Sequence, residues 1–155
     1  MVSHSRPVQT VLQMQLVAVG IALAPITYLV VLVLLRVTGT LPTTGFVQLP
    51  EATQTILKVA LGAMALLTAI ATLRIRKRLE AAFLAKANTI ASRTRIVIIT
   101  MAICDAAAVL GLVIGLLTGD LIIAAVVMAV AMAGSIFHFP TRAWIEQAED
   151  VATGQ

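Results

Sequence analysis

Charge is what this sequence has least of. Asp, Glu, Lys and Arg make up 12% of its 155 residues, where a soluble domain carries roughly 25%. Hydrophobic residues account for 60% and the mean hydropathy is +1.03, so there is too little charge to solvate a surface around them. That excludes a soluble globular domain, a disordered tail and a coiled-coil rod. Cysteine is almost missing: Cys104 stands alone, which excludes an intrachain disulfide and any Cys-x-x-Cys metal or redox motif. The two histidines, His4 and His138, lie too far apart in sequence for zinc-ligand spacing. No Ser-His-Asp set, His-Glu-x-x-His, phosphate loop or dinucleotide glycine fingerprint occurs. The expectation is a non-enzymatic chain with no cofactor and no metal.

What the sequence has in abundance is long apolar runs. Four of them reach the roughly 20 residues that a helix needs to cross a hydrocarbon core: 12–35, 52–73, 96–117 and 121–139. Strand alternation is absent, so a β-barrel is not expected. The fold class that follows is an all-α integral membrane protein, a single four-transmembrane-helix bundle. The first run is too long for the h-region of a cleavable signal peptide. Pro25 inside it removes one backbone hydrogen bond and is read as a packing kink. Between the third and fourth runs only Thr118-Gly119-Asp120 intervenes. Gly119 suits a left-handed helix end and Asp120 an N-cap, so these two helices form a tight antiparallel hairpin.

The net charge of +4 is concentrated. Seven of the eleven basic residues, Arg74, Arg76, Lys77, Arg78, Lys86, Arg93 and Arg95, fall within 74–95. With Phe83 as the one aromatic among them, no stacking platform for nucleic acid is present. They flank two apolar runs, where basic residues report orientation and attract anionic lipid. Segment 74–95 is therefore expected in the cytoplasm of a bacterial inner-membrane protein, either as a surface helix or as extensions of helices two and three. Both termini then lie on the same side, and Phe137, Phe139 and Trp144 form an interfacial aromatic girdle.

Close packing between membrane helices needs small residues at four-residue spacing. Helix three offers Ala107, Gly111 and Gly115, and helix four Ala125, Ala129 and Ala133; the two ladders are expected to face each other in the hairpin. Soft-donor residues Met101, Cys104, Met128, Met132 and His138 show no ligand spacing and read as packing.

One residue is costly. Asp105 lies mid-way along the third run, where a carboxylate costs about 2.5–3.5 kcal/mol on insertion scales. Lys58 sits about 12 Å away along the helix axis and is a poor partner. A neutral, hydrogen-bonded acid is expected, with Ala133 and Gly134 opposite and the Thr100 and Ser135 hydroxyls at similar depth. It is read either as a packing acid or as a site for a proton or sodium ion. The stretch Arg95 to Gly115, with Asp105 followed by Ala106, Ala107 and Ala108 and then Gly111-Leu112-Val113, resembles the acid-bearing helix of the proteolipid (c) subunit of rotary ATP synthases. The resemblance implies an ion-carrying role for Asp105 alone. The second run has one glycine, Gly62, where that family has a glycine ladder, and a long basic segment replaces its short polar loop. The ending Phe139-Pro140-Thr141-Arg142-Ala143-Trp144 resembles that of small uncharacterised bacterial four-span proteins. The function expected is therefore an accessory or oligomer-forming component of a membrane complex, its partners being the bilayer and either further copies or other membrane subunits. The alternative is a proteolipid-like carrier using Asp105.

The orientation is testable by reporter fusions at Gly45 and Asn88. Activity of an export-dependent reporter is expected at residue 45 and none at residue 88; the reverse pattern refutes the orientation.

Overall fold

The computed structural model describes residues 5–85, 89–141 and 144, with side chains from residue 12 onward. All regular structure among them is helical: α1 (Ser5–Val37), α2 (Glu51–Leu84), α3 (Ile90–Thr118) and α4 (Leu121–Phe137). α1, α2 and α3 are long and apolar enough to cross a membrane. α4 is not. Its 17 residues span about 26 Å, and the expected helix to residue 139 stops early. Pro140 disfavours helical backbone at the residue before it, and the His138 N–H closes the helix on the Gly134 carbonyl.

Local chemistry sets the other ends. Pro50 supplies extended backbone before α2, and Glu51 favours the first turn of that helix. The Thr89 hydroxyl caps α3 by accepting from the Ser92 N–H. α3 ends at Gly119, whose φ of 69° places it in the left-handed region. Asp120 then caps α4 by accepting from the Ile123 N–H, as the sequence led us to expect. Within the basic segment, residues 74–84 continue α2 and 90–95 begin α3.

α3 is the central helix. Of its most apolar stretch 44% is buried, against 17% for α1 and 11% for α2. α1 and α2 each pack on both α3 and α4 and barely touch each other. Their outward faces carry exposed Leu, Val and Ile along most of their length. The loop between α1 and α2 is folded onto the α3–α4 turn rather than standing free. Leu41 is buried with Leu32, Ala124 and Met128, and the Phe46 N–H donates to the Leu116 carbonyl at 2.8 Å. Gly45, at φ 79°, leaves no room for a Cβ against Leu117, and a Cβ on Gly119 would meet backbone of Thr43 and Gly45.

The small-residue expectation needs a correction. Ala107, Gly111 and Gly115 are buried as expected, but Ala129 and Ala133 are exposed and Ala125 half-buried. α3 packs instead against Ala124, Val127, Met128 and Ala131. α4 carries small residues on two faces, and the hairpin turn sets which face meets α3. A Cβ on Gly111 would lie 2.9 Å from the Met128 side chain and 3.0 Å from the Ala124 carbonyl, and one on Gly115 would meet Leu32 of α1.

Gly111→Leu should therefore separate α3 from α4, and Gly115→Leu should push α1 away. Each is expected to destabilise by about 1–3 kcal/mol, the usual range for overpacking, read as a lower Tm in mild detergent. An unchanged Tm in both would show that these contacts do not hold the bundle.

Candidate functional site

Three polar clusters are distributed along the bundle. The first lies at the end that holds the α3–α4 turn. The Lys58 ammonium donates to Asp120 Oδ2 at 2.8 Å, while Asp120 Oδ1 accepts from the Ile123 N–H at 3.1 Å. One carboxylate thus caps α4 and ties it to α2. The Lys58 hydrogen bond, aided by that backbone N–H, holds the Asp120 carboxyl below its ordinary range. Arg36, Gln54 and Thr118 line the same open cleft of about 430 Å³.

The second cluster centres on Asp105. Its Oδ2 accepts from the Tyr28 hydroxyl at 3.3 Å. Leu32 lies against Gly115, which puts Tyr28 near the level of Gly111, about 9 Å above Asp105 at 1.5 Å per residue. Helical side chains lean toward their N-terminus, so the phenol reaches down to the acid. Asp105 Oδ1 is buried with no partner among the described residues. Thr100 and Ser135 do not serve it. Both hydroxyls donate to carbonyls of their own helix, and Ser135 with Thr72 lies beside the buried Cys104 thiol. Gly134 faces Cys104 rather than Asp105, because one residue along α3 rotates the acid by about 100° toward α1.

The third cluster is at the opposite, basic end. Arg76 pairs with Glu80 at 2.9 Å. It also donates to the Phe137 carbonyl at 3.3 Å and lies 3.2 Å from His138 Nδ1. His138 is buried, which together with the Arg76 charge holds its pKa down. Two guanidinium groups lie over the Trp144 ring, Arg76 at 5.4 Å and Arg93 at 4.7 Å from its centroid; Arg93 also donates to the Trp144 carbonyl. Phe139 and Trp144 pack on Ala18, Val97 and Met101, so they do not form the expected girdle; of those three aromatics only Phe137 is exposed.

The structure accordingly divides the basic residues. Arg74, Lys77, Arg78 and Arg95 are exposed, Arg76 is half-buried and Arg93 is buried. Arg76 and Arg93 contact Phe137, His138 and Trp144 at and beyond the end of α4 instead of lying at the surface. Lys86 lies outside the described residues. Sequence reasoning missed Tyr28 and the Lys58–Asp120 pair. The signals were there: Tyr28 is the sole tyrosine, set inside an apolar run, where a phenol seeks a partner. Among the described residues no group of three His, Cys, Asp or Glu is gathered as a metal site. No known family, curated protein or solved structure matches the chain.

Asp120 offers a test with a defined sign. Its folded pKa is depressed, so its stabilisation is full above the unfolded value of about 3.9 and is lost as pH falls through the folded value. Asp120→Asn keeps a good cap and loses the ion pair. It should melt below wild type at pH 7, with the gap closing on acidification below about pH 3.9. Asp120→Ala should lose a further 0.5–2 kcal/mol or so with the cap at neutral pH. Parallel pH profiles for wild type and Asp120→Asn would refute a stabilising pair.

Proposed function

We propose that the chain is an integral membrane protein of a bacterial inner membrane, non-enzymatic, acting as an accessory or oligomer-forming component of a larger membrane assembly. Its basic end faces the cytoplasm, where positive residues are retained. α1, α2 and α3 cross the bilayer. α4, shorter than the core, packs against all three and leaves one face open. The apolar outward faces of α1 and α2 support this reading. So do the hydroxyls of Thr27, Thr68, Thr72, Thr100 and Ser135, each of which donates to a carbonyl of its own helix, as lipid demands.

The observation that carries the assembly role is the second small-residue face of α4. Ala129 and Ala133 point away from α3, flanked by exposed Ile122, Val126, Ile136 and Phe137. Beside them a groove of about 80 Å³ runs between α1 and α4, lined by Pro25, Ile26, Leu29, Met128 and Met132. Toward lipid a small side chain gains nothing; toward another helix it permits close approach. In this reading Asp105 is a packing acid that fastens α1 to α3 through Tyr28.

A second reading, a carrier in which Asp105 binds a proton or sodium ion, is favoured by the unpartnered Oδ1. One set of measurements separates the two. In mild detergent the wild type should exceed the 16.3 kDa of one chain, and Ala129→Leu with Ala133→Leu should reduce it to that mass. Asp105→Asn should assemble normally. A monomeric wild type, or a Leu variant of unchanged mass, overturns the assembly reading. Carbodiimide labelling of Asp105 suppressed by sodium, with ion flux lost in Asp105→Asn, would establish the carrier in its place.

A further inference from the structure

α2 is 34 residues long, about 51 Å, and outlasts a hydrocarbon core of about 30 Å. Its outward face changes character along the way. Leu67, Ile70, Ala71 and Ile75 form an apolar wall that ends at Arg74 and Arg78, and these six residues line a shallow groove of about 290 Å³. Arg74 and Arg78 are one turn apart on the same face, and both are exposed. Neither has an ion-pair or hydrogen-bond partner among the described residues. Their neighbour Arg76 differs, turned inward to Glu80 and His138. Two adjacent unpaired guanidinium groups at the foot of an apolar wall match one kind of occupant: an anion carrying a hydrocarbon chain.

We propose that this face of α2 is a discrete binding site for one anionic phospholipid. Its phosphate lies between Arg74 and Arg78, where guanidinium geometry suits phosphate oxygens. An acyl chain follows Ala71, Ile70 and Leu67 toward the bilayer centre. The proposal rests on the membrane reading and goes beyond it. General attraction of a basic segment to an anionic surface depends on charge count, whereas this site depends on two named residues and on the wall above them. Lys77 lies about 60° round the helix from Arg74, and Arg95 is on α3. Neither lines the groove.

The test is binding of phosphatidylglycerol to the purified full chain in mild detergent, by native mass spectrometry and by thermal shift. Phosphatidylcholine and free glycerol phosphate serve as comparison ligands. Arg74→Gln with Arg78→Gln removes two charges from the groove; Lys77→Gln with Arg95→Gln removes two from elsewhere. Wild type should retain phosphatidylglycerol over phosphatidylcholine, and the groove variant should bind it about 30-fold more weakly, the loss expected for two interfacial cations. The Lys77/Arg95 variant should bind as wild type does. Equal loss in both variants means diffuse charge attraction and overturns the site. Equal stabilisation by glycerol phosphate overturns the role of the apolar wall. Carbonate extraction of the membranes distinguishes the two levels of failure. A chain that resists extraction but shows no selective binding loses this site alone, and one that is extracted loses the membrane reading and the site together.

Discussion

The bundle depends on the absence of side chains at Gly111 and Gly115. At Gly111 a carbonyl and a methionine of α4 occupy the space that a Cβ would need, and at Gly115 Leu32 of α1 occupies it. Two successive glycines on one face of α3 therefore admit two different helices. Where lipid surrounds a protein, apolar surface gains little by leaving it, and close approach has to supply the attraction. α3 is the most buried of the three long helices because it alone offers that approach to several neighbours. α1 and α2, lacking such contact with each other, are peripheral.

The polar groups obey the same geometry. The hydroxyls of Thr27, Thr68, Thr72, Thr100 and Ser135 donate to carbonyls one turn back, so their protons are satisfied within their own helices. The remaining polar side chains mark the junctions between elements: Lys58–Asp120 joins α2 to the α3–α4 turn, Tyr28–Asp105 joins α1 to α3, and Arg76 joins α2 to the end of α4. Each junction lies at a different level of the bundle. Together they set the register of helices whose apolar faces alone would tolerate sliding by a turn.

What was legible in the sequence is what local chemistry decides. Gly119 and Asp120 announce a helix end and a helix start because left-handed backbone and an accepting carboxylate have few other uses in that order. The existence of four helices follows from run length. What was not legible depends on how helices rotate and slide against one another. Ala125, Ala129 and Ala133 have the spacing of a packing face, yet Ala124, Ala131, Gly134 and Ser135 offer another on the same helix. Nothing in the period distinguishes them. Tyr28 meets Asp105 only because α1 sits with Leu32 against Gly115. No pattern within either helix contains that register.

The shortness of α4 and the division of the basic residues are one fact seen from two sides. α2 and α3 extend past the end of α4 at the basic end, leaving a space beneath it. Pro140 is buried there, and Phe139 and Trp144 pack against the cluster of Ala18, Val97 and Met101. Trp144 brings an aromatic face and a backbone carbonyl, both attractive to guanidinium groups, and it takes Arg76 from α2 and Arg93 from α3. A count of seven cations in the sequence thus overstates the charge presented to the surroundings. Two of them are structural, bound to an aromatic ring that lies some fifty residues beyond Arg93 in the chain. The exposed ones, Arg74, Lys77, Arg78 and Arg95, are the charge that the segment presents at its surface.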